Sequence, residues 1–538
     1  MELREVITAA SAGHPDALAD LRSRFAGPLT FGTAGLRGAV GAGESRMNVA
    51  VVIRATVGLA RYLIDTVGID ASVVVGCDAR HGSSDFAEAA LAVLSGAGLR
   101  AMALPQQLPT PVTAFAVRAL GVDAGIMVTA SHNPPADNGY KVYLGGRAAD
   151  PHGQGVQIVP PADAEIAARI AAAPPADQVP RNTENITRVD PQVVVDYVRR
   201  MASHRTTSEP STVRVVLTAM HGVGGATMLQ VFDEAGVSDV HTVAEQFAPD
   251  PDFPTVSFPN PEEPGALDLS LALAEKESAD VVIALDPDAD RCSVAIGQRD
   301  GTWRQLTGDE IGSLLGEQAA ADPSRDGDVL ACSIVSSRQL ARIAQAHGLR
   351  SAATLTGFKW IARTPDIRYG YEEAIGYCTD PPAVHDKDGI GAAVRVVSLI
   401  EELAAQGRTI EDQLDHLART YGLHTTSQLS FRVADVALIA DAMARLRASG
   451  PTSLAGSPVV EFLDLEEGSD DLPPTDGLLY RTAADDRVII RPSGTEPKLK
   501  CYLEVISPCP EGEIPRAAAT DRITTIKAEL TATLGLDR

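Results

Sequence analysis

Four times in this chain an apolar run of strand length breaks off into a polar loop: SVVVGCD at 72–78, GIMVTASH at 125–132, VVLTAMHG at 215–222 and VVIALDPDAD at 281–290. Continuous apolar runs of this length, rich in β-branched residues, read as strands buried on both faces. Between them lie Ala/Leu-rich stretches of helical period, such as FAEAALAVLSGAG at 86–98. Strands alternating with helices predict α/β domains, and ligands in such folds gather where strands run out. The loops after the strands are therefore where the chemistry is sought.

The alternation recurs in three blocks. The first carries ASVVVGCD, RAMALP, AGIMVTAS and YKVYLG; the polar stretch ASHRTTSEPST at 202–212 interrupts it. The second runs from VRVVLTAMHGVGG to DVVIALDPDAD, and the third from LTGDEIG through DVLACSIV and SAATLTGF to the helix-like GIGAAVRVVSLIEELAAQG at 389–407. After about residue 425 the texture changes to TTSQLSFRV, SPVVEFLDL, LLYRTAADDRVIIRPS and KCYLEVIS, which read as antiparallel strands closed by a helix near 517–534. The expected domains are 1–207, 208–307, 308–425 and 426–538: three α/β units and one α+β unit. A chain of 538 residues is long enough for that count.

A formal net charge of −25 repels nucleic acid and anionic membranes, so neither is expected as a partner. It also means that any phosphate site has to be a local basic pocket. The six cysteines (77, 292, 332, 378, 501 and 509) are scattered, which fits a reducing compartment and offers no zinc site. The N-terminal MELREVITAASAGHPDALADL reads as an amphipathic helix and not as a signal peptide, and no apolar stretch nears the ~18 residues of a membrane span. The expected location is cytoplasmic.

Three loops carry the strongest chemistry. In VTASHNPPADNGYK (128–141) a strand leads into Ser131, and Asn133, Pro134 and Pro135 then stiffen the turn. A serine hydroxyl is a weak nucleophile that needs a base or a metal, and His132 and Lys141 stand close by in sequence. In LDPDADR, Asp286, Asp288 and Asp290 alternate after the run VVIAL. Three crowded carboxylates raise one another's pKa unless a hard cation such as Mg²⁺ joins them. The EF-hand pattern is absent, because Gly297 stands where its closing glutamate would be. Arg291, directly behind the acids, fits a phosphate held beside a metal. In RPSGTEPKLK (491–500), Arg491 offers a donor fork, Ser493 and Thr495 offer hydroxyls, and Gly494 lets backbone amides approach an oxyanion. FGTAGLRG with Arg37, TGFKW with Lys359, YEEAIGY with Glu372 and Glu373, and HDKDG with Lys387 are weaker signals.

A nucleophilic serine, a divalent metal, a polyol grip and a separate phosphate grip together suggest phosphoryl transfer on a sugar phosphate. In T-A-S-H-N-P, D-P-D-A-D-R and R-P-S-G-T-E-P-K, in that order over nearly the whole chain, the sequence resembles the α-D-phosphohexomutases, the phosphoglucomutase/phosphomannomutase family. The resemblance implies four domains around a central active-site cleft. It implies Ser131 as the phosphoserine; Asp286, Asp288 and Asp290 holding Mg²⁺ against its phosphate; and Arg37, His132, Lys141 and Arg291 lining the transfer site, with Lys141 ahead of His132 for proton transfer. Glu372 would grip sugar hydroxyls. Arg491, Ser493, Gly494 and Thr495 would hold the other phosphate, supported by Lys359 and Lys387. The implied reaction interconverts hexose 1-phosphate and hexose 6-phosphate through a 1,6-bisphosphate, with glucose 1,6-bisphosphate as activator, in a monomer or dimer.

The chain departs from the commonest family pattern at Ala374, where many members carry serine, and at Pro287, where they carry glycine. YEEAIG, TGFKW and FGTAGLRG look more like the phosphopentomutase-like branch. Glucose is the favoured sugar, mannose next, with a phosphopentomutase or a Mg²⁺-dependent sugar-phosphate phosphatase as the alternative.

Overall fold

In the computed structural model the apolar runs are strands, and the loops expected to carry chemistry stand at their ends. Residues 2–536 are described except 33–34, 208, 434, 436, 469–471, 494–497 and 510–511. They fall into two compact units. The first takes the chain up to Thr307 together with Ala362–Tyr369 and Ala374–Glu402; the second takes Gly308–Ile361, Gly370–Glu373 and the chain from Leu403 onward.

The first unit holds two sheets. One is built from β1 (Leu36–Ala39), β2 (Ser72–Cys77), β3 (Arg100–Ala103), β4 (Ala124–Val128) and β5 (Asp137–Leu144), in the order β1-β5-β4-β2-β3, with Thr187–Arg188 beyond β3 and Val156–Gln157 paired to β5. β2 runs parallel to β3 and to β4, whereas β5 lies antiparallel to both β4 and β1. Every residue of β2 and β4 is buried, as their unbroken apolar runs require. The helix Val49–Thr66 covers the sheet with Val52, Leu59 and Leu63, and Asn48 caps it by accepting from the Val51 amide at 3.0 Å. Each such side chain contributes roughly 1.5–3 kcal/mol by leaving water.

The second sheet orders Trp303–Gln305, Cys292–Gly297, Val281–Leu285, Val215–Thr218 and Val240–Thr242. Val281–Leu285 lies parallel to Val215–Thr218 and antiparallel to Cys292–Gly297, with Leu285 opposite Cys292. Residues 286–291 are thus the closed end of an antiparallel pair, which fixes the three acids in a tight turn.

The N-terminal stretch differs from the single helix expected of it. It forms two helices, Glu2–Ser11 and Pro15–Arg24. Proline has no N–H to continue a helix but is well suited to a first turn, so Pro15 opens the second helix instead of extending the first.

In the second unit Val329–Ser333 and Arg350–Thr354 pair parallel, next to the helices Gly308–Ala321 and Gln339–Ala346. The texture change near residue 425 becomes a six-stranded sheet in the order Leu423–Arg432, Lys498–Ser507, Arg487–Pro492, Leu478–Thr482, Ser457–Asp464, Ser453–Leu454. All five of its pairings are antiparallel. The helix Arg516–Leu534 packs on it through Ile523, Ile526, Leu530 and Leu534. No helix of the described residues is long and apolar enough to cross a membrane.

Candidate active site

Ser131 sits three residues beyond β4 and is buried, with a backbone φ of 52°. A residue with a Cβ held in the left-handed region costs on the order of 1–3 kcal/mol unless its surroundings enforce it. Here they do. The Ser131 amide donates to Thr129 Oγ1 at 2.9 Å, and its carbonyl accepts from Arg80 at 2.7 Å. The hydroxyl donates to Asp286 Oδ2 at 2.9 Å and lies 3.2 Å from His132 Nδ1. The strand-then-turn pattern therefore displays Ser131 Oγ on a rigid corner, against a carboxylate 155 positions along the chain.

The three aspartates are buried and offer carboxylate oxygens within 4.8 Å of one another. Two glycines let their loop come so close. A Cβ on Gly222 would fall 2.3 Å from the Pro287 backbone, and one on Gly389 would fall 2.3 Å from the Arg291 carbonyl oxygen. Lys141 donates to Asp288 Oδ2 at 2.8 Å and to Asp290 Oδ2 at 2.9 Å, and Lys387 lies 3.2 Å from Asp290 Oδ2. Thr110 Oγ1 donates to Asp288 Oδ2 at 2.6 Å, and the Arg291 amide donates to Asp286 Oδ1 at 3.0 Å. Arg37 reaches the serine loop by donating to Asn133 Oδ1 at 3.0 Å.

Burial, with Asp288 and Asp290 alongside, pushes the Asp286 carboxyl well above the ordinary range. Burial works against Asp290 too, but Lys141 and Lys387 outweigh it and hold that carboxyl low. For Lys141, burial pulls the ammonium down while Asp288 and Asp290 raise it further, so it is held charged. Burial and then the Arg291 and Arg37 guanidiniums push His132 well below the usual imidazole range, which keeps it neutral.

The first unit thus brings together Ser131, His132, Lys141, Arg37, Arg291, Lys387 and the three aspartates. Lys387, expected with the phosphate grip, stands beside the acids. The other candidates belong to the second unit. Glu372 ends the strand Ile367–Glu372, and Lys359 is on the short helix Phe358–Ala362. Arg491 lies near the end of its strand opposite Lys500, and the Ser493 amide donates to the Lys498 carbonyl at 2.8 Å. Gly494 and Thr495 lie outside the described residues.

Each of the four domains of this chain matches a family profile described as phosphoglucomutase/phosphomannomutase: α/β/α domain I over residues 28–176, domain II over 195–300, domain III over 307–421 and the C-terminal domain over 400–508. The chain belongs to the phosphoglucomutase/phosphomannomutase family. It is 43% identical over 463 residues to a Haemophilus influenzae protein named "Probable phosphomannomutase", covering 85% of this chain and 93% of that one. It is 35% identical over 537 residues to the phosphopentomutase of Homo sapiens, covering 91% and 87%. Its fold resembles that of a phosphoglucomutase/phosphomannomutase family protein from Burkholderia thailandensis, with a TM-score of 0.71, 21% identity and coverage of 94% and 98%. The chain is accordingly an enzyme, an intramolecular phosphotransferase of the isomerase class, with three α/β domains and a C-terminal domain.

The acidic loop fits the metal expected of it. Asp288 Oδ1 and Asp290 Oδ1 are buried without a hydrogen-bond partner, and leaving such atoms unsatisfied is expensive. An all-oxygen donor set with unused lone pairs suits a hard divalent cation that keeps other positions for water and phosphate.

Sequence reasoning does not single out Thr110 or Arg80, and it places Glu373 only among the weaker signals. Thr110 steadies Asp288. Glu373, next to the chosen Glu372, accepts at Oε2 from Ser333 Oγ at 2.9 Å and Ser336 Oγ at 3.0 Å. Arg80 grips the serine loop. Its signal was available, because Arg80 follows the run SVVVGCD just as Ser131 and Asp286 follow theirs.

Proposed function

We propose that the protein interconverts hexose 1-phosphate and hexose 6-phosphate, glucose favoured and mannose next, through a phosphoserine at Ser131 and a hexose 1,6-bisphosphate. The observation that carries this reading is the hydroxyl of Ser131, fixed in a strained corner 2.9 Å from one carboxylate of a buried triad with unused oxygens.

In this mechanism phosphoserine 131 gives its phosphoryl group to the free 1- or 6-hydroxyl of the bound sugar phosphate. The sugar oxygen loses its proton as the new O–P bond forms, and Ser131 Oγ regains one as its own bond to phosphorus breaks. Lys141, held as the ammonium, is the first choice to return the proton to Ser131 Oγ, and His132, neutral and with Nδ1 3.2 Å from the hydroxyl, is the second choice and the one able to accept a proton. The bisphosphate turns round, and its other phosphate returns to Ser131. Mg²⁺, when held by Asp286, Asp288 and Asp290, supplies positive charge that offsets the charge building on the transferring oxygens. Arg37 and Arg291 orient the phosphoryl group, Glu372 and its neighbour Glu373 take sugar hydroxyls, and Arg491, Ser493, Gly494 and Thr495 hold the phosphate that stays, with Lys359 supporting; Lys387, beside Asp290, supports the transferring end instead. Glucose 1,6-bisphosphate primes the cycle by loading Ser131.

The relatives support a second reading for the sugar. Proteins named phosphopentomutase and "Probable phosphoribomutase" match 91% and 88% of this chain at 35% and 37% identity. Side-by-side kcat/KM values on glucose, mannose and ribose 1-phosphates, with Mg²⁺ and a trace of the matching bisphosphate, decide between hexose and pentose. Glucose 1-phosphate should yield glucose 6-phosphate, and steady release of inorganic phosphate would replace the mutase with a phosphatase. Ser131→Ala should lose essentially all turnover, and intact mass should show one phosphate on the parent and none on that variant.

A further inference from the structure

Arg80 has no part in the reaction described above, yet its guanidinium donates only to backbone carbonyls of the nucleophile loop. The loop needs outside donors. Between Ser131 and Asp137 the backbone supplies few hydrogen bonds of its own: the Asn133 amide to the Ala130 carbonyl at 3.1 Å, and the Asp137 amide to the Pro134 carbonyl at 3.0 Å. Pro134 and Pro135 carry no N–H at all. Arg80 Nη2 donates to the carbonyls of Ser131 at 2.7 Å and Asn133 at 2.6 Å, and Nη1 donates to those of Pro134 at 2.9 Å and Asp137 at 3.1 Å.

The guanidinium is itself fixed. It is buried, its Nε lies 3.6 Å from Asp78, its carbon lies 4.9 Å from the centre of the Phe253 ring, and its backbone amide donates to Asp78 Oδ1 at 3.0 Å. Four terminal N–H groups meet four carbonyls and the fifth, on Nε, is buried 3.6 Å from Asp78 Oδ2 without a hydrogen-bond partner, so the terminal groups have none left for a phosphate. That separates Arg80 from a substrate contact. A planar fork can span four carbonyls, whereas a lysine ammonium concentrates its donors at one point.

We propose that Arg80 is the positioning residue of the nucleophile loop: its guanidinium ties the carbonyls of Ser131, Asn133, Pro134 and Asp137 into the arrangement that holds Ser131 at positive φ and aims its hydroxyl for phosphoryl transfer. The proposal rests on the reading of Ser131 as the nucleophile.

Arg80→Lys keeps a buried cation beside Asp78 but loses the fork. The full-length variant, with Mg²⁺ and glucose 1,6-bisphosphate, should show kcat about 10²-fold below the parent with KM within threefold, as expected when a reacting group is misplaced by a fraction of an ångström. Intact mass should still approach one phosphate per chain, but slowly. A merely structural role would instead lower the fraction of chains that can be phosphorylated, at an unchanged rate. Arg80→Ala should regain at least tenfold in kcat when guanidinium ion is added at concentrations well below those that unfold the parent. Where Arg80→Lys does not fold, Asp78→Asn reads the same contact, with about a tenfold loss of kcat and an unchanged KM. A folded Arg80→Lys or Asp78→Asn with parental kcat overturns the proposal, and so does a loss confined to KM. Ser131→Ala, run in parallel, separates the two readings: if it turns over, the nucleophile assignment falls, and if it is dead while Arg80→Lys is parental, only the clamp falls.

Discussion

Each unit of this protein buries a carboxylate cluster, and the two are satisfied in opposite ways. In the second unit the Glu504 carboxylate has no spare capacity. Its Oε1 accepts from Ser337 Oγ at 2.9 Å, the Arg338 amide at 2.8 Å and His424 Nδ1 at 2.9 Å. Its Oε2 accepts from Arg338 Nε at 2.6 Å and lies 3.2 Å from Arg487 Nη2. Arg487 in turn donates to the carbonyls of Ile334 and Ser336. In the first unit three aspartates share one turn, and two of their buried oxygens lack any hydrogen-bond partner. A carboxylate whose lone pairs are all used is a structural knot. A cluster that keeps some unused is built for a ligand.

The largest expected effect separates the two clusters by activity. Asp288→Asn should cut kcat by about 10³-fold, a loss near 4 kcal/mol of transition-state stabilisation. In metal-free buffer its thermal midpoint should fall less than that of Glu504→Gln, because loss of the pairing with Lys141 is partly offset by relief of crowding with Asp286 and Asp290. A variant that both unfolds and retains activity per folded chain would make the triad structural and erase the contrast.

The converse holds at Glu504. Glu504→Gln takes the charge partner from buried Arg487 and leaves the partly buried Arg338 with Asp485 alone, so about 3–5 kcal/mol of stability should disappear in denaturant titration. Turnover per folded chain should change by less than about tenfold, since no reacting group is removed. A large drop in kcat with unchanged stability would mean that the knot belongs to the chemistry.

The two clusters were not equally legible in the sequence. Asp286, Asp288 and Asp290 are adjacent, and crowding of like charges at a strand end is visible without coordinates. The Glu504 knot joins positions 337, 338, 424, 487 and 504, and nothing local in KCYLEVIS distinguishes a buried glutamate from one on a solvated face. The strands were readable for a related reason: apolar runs such as SVVVGC report burial on both faces, and antiparallel pairs such as Leu423–Arg432 with Lys498–Ser507 report it by alternation. At Pro15 amphipathic period alone misleads, because it runs on through a residue that starts a helix better than it continues one. Nothing in YEEAIGY marks Glu373, because only the fold brings Ser333 and Ser336 to its carboxylate.

Metal should sharpen the same contrast. Mg²⁺ at a hundred times its Kd should stabilise the parent by about 2.7 kcal/mol in a thermal melt, and should stabilise Glu504→Gln by a similar increment. Asp288→Asn should show little of that gain, and chelation should abolish turnover of the parent reversibly. An equal Mg²⁺ shift in Asp288→Asn would place the cation elsewhere.

The smallest effect is the most specific to the knot. Burial raises the Glu504 carboxyl, but Arg487, His424 and Arg338 outweigh it and hold it well below the ordinary glutamate range. A carboxyl depressed in the folded state binds its proton less readily there than in the unfolded chain. Its contribution is therefore complete above the unfolded value of about 4.3 and fades as pH falls below it. Other groups titrate over the same window, so the useful quantity is the difference in unfolding free energy between the parent and Glu504→Gln, in which groups remote from residue 504 cancel. That difference should be constant from pH 7 to about 5 and should shrink steadily from there toward pH 3. A difference that stays flat through that window would mean that the carboxylate is not held by charge. The knot would then owe its stability to hydrogen bonds that glutamine can also accept, and the electrostatic half of the comparison with the aspartate turn would fail.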